Sequence, residues 1–177
     1  MKHVKYKKPL IFLISLIKKQ ALHTKKEMSN SPKDRTDYFS GKIMGCYSIV
    51  TIFKHQAFAF CIDQKELSLA EIDPQVDLLG LRRNTEIDPV EDNWAIDPMN
   101  DETIKGYLIN SCMILKEQYI EAKKSLTEAE EIDKEYCKGE LTAYHEVIAT
   151  MKNQAPIFHI DEKDIGLSDI DPERDLL

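Results

Sequence analysis

Few residues in this sequence combine the types and the spacing that metal binding requires. Tyr144-His145-Glu146 contains the first two residues of the zinc-protease pattern H-E-x-x-H, but no second histidine follows four residues after His145. The acidic run from Asp161 to Asp175 lacks the alternating Asp or Asn ligands and the closing glutamate of a calcium-binding loop. We therefore predict no metal site.

Motifs for nucleophilic catalysis or phosphate binding are also missing from the sequence. It contains neither the glycine-rich patterns that cradle phosphate groups nor the G-x-S-x-G turn that exposes a catalytic serine. We assign no catalytic residue and no cofactor, and non-enzymatic function is favoured over an enzyme.

The cysteines indicate a compartment rather than a reaction. None of the four shows C-x-x-C spacing, and three fall at apolar helix positions; they are Cys46, Cys61, Cys112 and Cys137. Scattered cysteines of this kind are typical of buried free thiols in a reducing environment. We therefore expect a cytoplasmic protein, with delivery into a host cytosol as an alternative.

The chain contains an internal repeat. Residues 5–79 align without a gap on residues 103–177, and 23 of the 75 aligned pairs are identical. Unrelated segments of average composition match at only about one position in fifteen. We interpret this as a tandem duplication, with a first repeat at 1–79, an acidic linker at 80–102 and a second repeat at 103–177.

Polar residues that recur in both repeats are candidates for a shared role. On the first helix of each repeat, Lys18 and Gln20 correspond to Lys116 and Gln118. The second helices carry the candidate interaction residues Lys54, Gln56, Lys152 and Gln154. An amide beside an apolar stripe can bond across a hairpin and fix its register, so structural and binding roles both stay open.

Each repeat shows helical periodicity in two segments. In the second repeat, Asp101 is predicted to cap a helix over about 102–124, and a further helix follows over 139–158. The first repeat has matching stripes, with Pro9 in the first helical turn and a second helix over 41–60. Pro156 predicts a kink or break near Met151 and Lys152.

The first helix is apolar on more than one side. Its start, with lysines before Pro9–Ile17, imitates a secretory signal, but lysines follow where a cleavage site would lie. Because the aligned segment of the second repeat is an ordinary amphipathic helix, we expect a domain helix here. Its additional apolar face predicts burial between the repeats or contact with a partner.

Two helices per repeat form a hairpin whose single apolar face needs a cover. The two hairpins can cover each other, so the sequence predicts an all-α fold: a pseudo-two-fold helical bundle, with Phe53 and Met151 at its centre. We expect a monomer that contains an internal pseudo-dimer.

The linker and the tails share Ile-Asp-Pro triplets. Asp before Pro is a typical helix start, so each repeat is predicted to end in a short turn whose two leucines pack back. In the linker, Trp94 lies between two further triplets and is a candidate for packing over the bundle or for anchoring a partner.

Composition and charge limit the class of function. Of 177 residues, 42% are apolar and 31% are charged, which excludes a disordered chain. Residues 1–35 hold ten Lys or Arg and two acids, whereas the remainder is strongly acidic. This basic segment can complement the chain's own acidic part, anionic lipid or nucleic acid.

The absence of catalytic motifs favours a non-catalytic protein–protein interaction module, such as an adaptor, an inhibitor or a bacterial effector-type protein. The expected partner is another protein, with nucleic acid not favoured and no transmembrane segment. Two alternatives stay open. One is a small enzyme with a cleft between the repeats, and the other is a peripheral membrane or nucleic-acid binder that uses the basic N-terminal helix.

Overall fold

The computed structural model describes residues 5–82, 100–170 and 174, and the regular structure in this part of the chain is helical. Its four long helices are α1 (Lys7–Asn30), α2 (Thr36–Ala59), α3 (Asp101–Glu128) and α4 (Lys134–Ile157). The predicted all-α class is confirmed. Most of the linker, including Trp94, lies outside the described residues, as do residues 171–173 and 175–177 at the end of the second repeat.

Helices α2 and α4 form the centre of the molecule and run parallel to each other. Gly41 lies against Tyr136 and Glu140, while Gly45, one turn later, lies against Glu140 and Ala143. Because both contact positions advance in the same direction, the two helices begin at the same end of the bundle. We call this the turn end, since the α1–α2 and α3–α4 connections lie there.

Two glycines allow α2 and α4 to approach closely. A Cβ atom on Gly41 would lie 1.9 Å from the carbonyl oxygen of Tyr136, and a Cβ on Gly139 would lie 1.9 Å from that of Tyr38. No carbon atom can occupy such a position, so only glycine permits this helix contact.

The core extends from the α2–α4 contact to α1, α3 and the tails. Phe53 on α2 and Met151 on α4 are each 1% exposed, as the sequence predicts for reciprocal core residues. Tyr107 of α3 is fully buried and donates a hydrogen bond from its hydroxyl to the carbonyl oxygen of Phe53, 3.1 Å away. This bond joins α3 to the C-terminal half of α2.

The start of α3 differs from the prediction by one residue. Asn100, rather than Asp101, caps the helix, and its side-chain oxygen accepts from the backbone N–H of Thr103 at 2.8 Å. Asp101 instead accepts from the backbone N–H of Tyr6 at 3.1 Å. Because Asp101 does not cap α3, its carboxylate can accept this bond from the residue that precedes α1.

Pro156 does not break α4 where the sequence predicts. The helix continues past Met151 and Lys152 to Ile157, so that α4 and α2 are both 24 residues long. Pro156 lies in the last turn, where the loss of one backbone donor affects only the end of the helix.

After α2 and α4, the chain turns back along the bundle through residues in left-handed conformation. Cys61 and His159 have φ of 51° and 54°, and the next residues, Ile62 and Ile160, donate backbone bonds to carbonyls five residues earlier. Both isoleucines are buried. This is the Schellman arrangement that ends many helices, and it directs the segments that follow, residues 62–80 and 160–170, onto the core. We call these segments the first and second tails.

The first tail ends in a short helical turn, Pro74–Leu78. Asp73 caps it by accepting from the backbone N–H groups of Gln75 and Val76. Leu78 is fully buried and Leu79 packs against the core. The predicted Asp-Pro helix start is therefore confirmed in the first repeat.

Helix α1 is covered on one side only. Leu10, Ile14 and Ile17 are buried, which places the apolar N-terminal segment in the core. On its outer side Phe12 is 44% exposed and its ring packs edge-on against Phe158. The sequence allows burial of α1 between the repeats or contact with a partner. One face of α1 is buried in the bundle, and the opposite face stays exposed.

Candidate functional site

The two lysines predicted as interaction residues bind the tails. Lys54 donates from Nζ to the carbonyl oxygens of Leu69 at 3.2 Å and Ile72 at 2.8 Å. In the second repeat, Lys152 donates to the carbonyl oxygen of Ile170 and forms an ion pair with Glu162 at 3.0 Å. These ammonium groups therefore attach each tail to its second helix.

Lys18 and Lys116, which also recur, attach the same tails to the first helices. Lys18 donates to the carbonyl oxygen of Ser68 and pairs with Glu71, both at 2.7 Å. Lys116 pairs with Asp169 at 2.7 Å. In each repeat, two lysines from different helices thus hold the tail.

The recurring glutamines have different environments. Gln56 and Gln154 are half-buried, and Gln154 lines a narrow apolar cavity beside Met151 and Phe158. The amide that reaches across the bundle belongs to Gln20, which donates from Nε2 to Glu146 Oε2 at 2.7 Å. The predicted binding role of Gln56 and Gln154 remains a prediction.

A polar network that the sequence does not reveal lies between α1, α2 and α4. Lys42, only 8% exposed, donates from Nζ to Glu146 Oε1 at 2.7 Å, while Gln20 occupies the other carboxylate oxygen. Burial alone would lower the pKa of Lys42, but the hydrogen bond and negative charge of Glu146 outweigh it and raise this pKa. Lys42 is therefore held as an ammonium ion, which is not a nucleophile.

The buried cysteines are equally poor nucleophiles. Cys46 lies one turn from Lys42, and burial raises the pKa of its thiol to about 11. Burial raises the pKa of Cys112 to about 12. Because the thiolate is the reactive form, neither group is activated at neutral pH. All four cysteines are free, but Cys61 is exposed, because it follows the end of α2 instead of lying on its apolar face.

An open concave surface lies at the turn end, between α1 and the α1–α2 connection. It encloses about 350 Å³, and we call it the basic depression; its lining residues are His23, Lys26, Glu27, Asn30, Ser31, Pro32, Arg35 and Phe39. Glu27 Oε2 lies 3.3 Å from His23 Nδ1. Arg35 lies over the rings of Tyr38 and Phe39, about 5.3 and 5.4 Å from their centres.

The lining leaves positive charge accessible. In the described part of the chain, no carboxylate lies within ion-pairing distance of Lys26 or Arg35. The largely buried Phe39 and the exposed Pro32 form the apolar part of the lining. Two exposed cations beside an apolar wall are suited to a ligand that combines acidic groups with an aliphatic one.

The corresponding connection in the other repeat has the opposite character. Ile132, at 79%, has the highest exposure of the large apolar side chains in the described residues. Glu130, Glu131 and Asp133 surround it in the chain and are all exposed. We call Glu128–Asp133 the acidic turn; it lies at the same end of the bundle as the basic depression.

Much of the positive charge of α1 is used within the molecule. Lys7 pairs with Glu66 at 2.7 Å, Lys18 pairs with Glu71, and Lys25 donates to the carbonyl oxygen of Leu78 at 2.6 Å. The exposed lysines of α1 are Lys8, Lys19 and Lys26. The basic segment therefore complements the acidic first tail along one side of α1.

Comparison with family models, curated proteins and solved structures found no significant match to this chain. None of the described helices has the length and apolarity needed to cross a membrane. Within residues 5–82 and 100–170, no three His, Cys, Asp or Glu side chains are grouped closely enough to hold a metal ion.

Proposed function

We propose that this chain is a non-catalytic protein-interaction module that binds an acidic, aliphatic-containing segment in the basic depression. The observation that carries the proposal is the pair of accessible cations, Lys26 and Arg35, beside the buried ring of Phe39. Adaptor, inhibitor and bacterial effector-type roles are all compatible with such a module. A cytoplasmic location fits its four free thiols.

The chemistry of the described side chains supports binding over catalysis. Glu146 holds Lys42 in its protonated, non-nucleophilic form, and the thiols of Cys46 and Cys112 have raised pKa values. An enzyme of this type would need an activated group within reach of a cleft.

Binding to a membrane or to nucleic acid through α1 has less support. Such binding depends on many cations presented together. Because Lys7, Lys18 and Lys25 are engaged by the first tail, α1 retains only part of its charge for an external polyanion.

We also infer that the two hairpins arose by tandem duplication and are related by a pseudo-two-fold axis. The reciprocal contacts support this inference: Gly41 meets Tyr136 as Gly139 meets Tyr38, and these positions differ by 98 residues. The pairs Lys18–Glu71 and Lys116–Asp169 follow the same offset. Under this symmetry the basic depression and the acidic turn occupy equivalent corners of the turn end.

A peptide-display selection tests the proposed function. We expect the chain to enrich acidic peptides that contain an aliphatic residue, and the double variant Lys26→Glu/Arg35→Glu to lose them. Replacing two exposed lysines on the tails, Lys65→Glu/Lys163→Glu, changes the net charge equally and should leave the selected peptides unchanged. No enrichment, or equal enrichment by both variants, would overturn the proposal.

A further inference from the structure

We propose that the acidic segment bound by the basic depression is the acidic turn of a second copy of this chain, so that the protein forms a two-fold dimer through its turn end. This inference rests on the proposed function, because it names the occupant of the same depression. It replaces the expectation of a monomer.

The chemistry of the two corners is complementary. The acidic turn presents Ile132 between Glu131 and Asp133, and the basic depression presents Phe39 beside Lys26 and Arg35. A volume of about 350 Å³ accommodates an isoleucine side chain with room for the flanking carboxylates. Carboxylates paired with Arg or Lys around a buried aliphatic anchor are typical of small protein interfaces.

The placement of the corners allows both contacts to form at once. The α2–α4 contact brings the starts of both helices together, so the connections that precede them lie side by side at one end of the bundle. A two-fold axis that is perpendicular both to the bundle and to the line joining the two corners places each acidic turn over the partner copy's basic depression. The contact is therefore isologous and closed, and it does not propagate into a fibre.

The other charged residues near the basic depression and the acidic turn are compatible with this contact. Asp34 and Asp37 lie near the basic depression but are not part of its lining. Glu27 is part of the lining, so its one negative charge stands against the two positive charges of Lys26 and Arg35. On the acidic turn, Glu131 pairs with Lys134 at 2.6 Å, and the other exposed carboxylates are those of Glu128, Glu130 and Asp133. A contact of two small corners predicts weak, salt-sensitive association.

Charge reversal tests the pairing directly. Arg35→Glu and Asp133→Arg change exposed side chains, and neither wild-type side chain makes a capping hydrogen bond. Over a concentration range of about 100-fold, sedimentation velocity should show the wild-type chain shifting from monomer to dimer. For each variant alone, the Kd of the dimer should rise by about 10-fold or more.

An equimolar mixture of the two variants should restore the dimer. In the mixed dimer, one contact pairs Glu at position 35 with Arg at position 133, while the other keeps the wild-type Arg35 and Asp133. Ile132→Ser should also weaken the dimer, whereas Ile120→Ser, at a side chain 64% exposed on α3, should not.

Several results would overturn the inference. They are a wild-type chain that stays monomeric throughout, variants that dimerise as the wild type does, and a mixture that fails to associate. A monomeric chain that still selects acidic peptides through Arg35 would overturn only the dimer. A monomeric wild-type chain that selects no acidic peptides would overturn the proposed function as well.

Discussion

The absence of a Cβ atom at Gly41 and at Gly139 determines how closely α2 and α4 approach each other. We expect Gly41→Ala and Gly139→Ala each to cost about 1–3 kcal/mol of unfolding free energy or more, because the added methyl would overlap a backbone carbonyl of the facing helix. Chemical denaturation measures this loss.

Gly106→Ala is the matched control for these two substitutions. Its Cβ would lie 2.9 Å from the end of the flexible Phe60 ring, which can move, and alanine favours the helix by about 1 kcal/mol. Stability should therefore change by less than about 1 kcal/mol. An equal loss in all three variants would show that the α2–α4 contact is not the cause.

The ion pair of Lys42 and Glu146 makes stability depend on pH. The pKa of Lys42 is raised in the folded chain, so its contribution is complete below the pKa of a free lysine, about 10.4, and is lost as the pH rises through the folded value. Lys42→Met should cost about 1–2 kcal/mol at neutral pH, since it leaves the half-buried Glu146 without its cation.

Thermal unfolding measured from neutral to alkaline pH checks this prediction. The difference between wild type and Lys42→Met should shrink as the pH rises, while Lys65→Met, at an exposed lysine, should match the wild type at every pH. A difference that is constant with pH would mean that packing, not charge, accounts for the loss.

At the scale of elements, each tail depends on ammonium groups from the helices below it. Lys54→Met keeps the aliphatic stem but removes the bonds to Leu69 and Ile72, so amide hydrogen exchange in residues 62–80 should accelerate while α3 and α4 stay protected. Bonds from a charged donor contribute about 1.5–3 kcal/mol each.

Lys152→Met provides the reciprocal test in residues 160–170. If either substitution accelerates exchange throughout the bundle, the tail is part of the cooperative core and is not a separately attached segment.

The same elements show how far the sequence predicts the fold. The periodic apolar residues of α2 and α4 identify both helices and their buried centre at Phe53 and Met151, because helical spacing is a local property. The predicted break of α4 near Met151 and Lys152 is wrong, because the effect of proline depends on its distance from a helix end that the turn at His159 defines.

For the whole molecule, we predict that all four cysteines stay unbridged in solution. Thiol titration of the denatured protein under non-reducing conditions should find four free groups. In the native protein, exposed Cys61 should react quickly, whereas Cys46 and Cys112 should react slowly because burial raises their pKa values to about 11 and about 12. A count of zero would indicate an oxidising compartment.

The candidate site was predictable only in part. The basic character of residues 1–35 points toward α1, but the basic depression exists because Phe39, Arg35 and the end of α1 meet across a turn. Lys54 and Lys152 were found by their recurrence, although their bonds to the tails were not foreseen. Lys42 carried no such signal, since its counterpart in the repeat is Glu140.

The amino-acid sequence by itself determined the helical class, the apolar stripes and the internal repeat, because these are properties of spacing along the chain. Only the tertiary structure decided which charges meet. Lys42 and Glu146 are 104 residues apart, and Gln20 and Glu146 are 126 apart. Such pairs depend on how closely helices pack, and that distance depends on two glycines whose partners are backbone atoms of another helix.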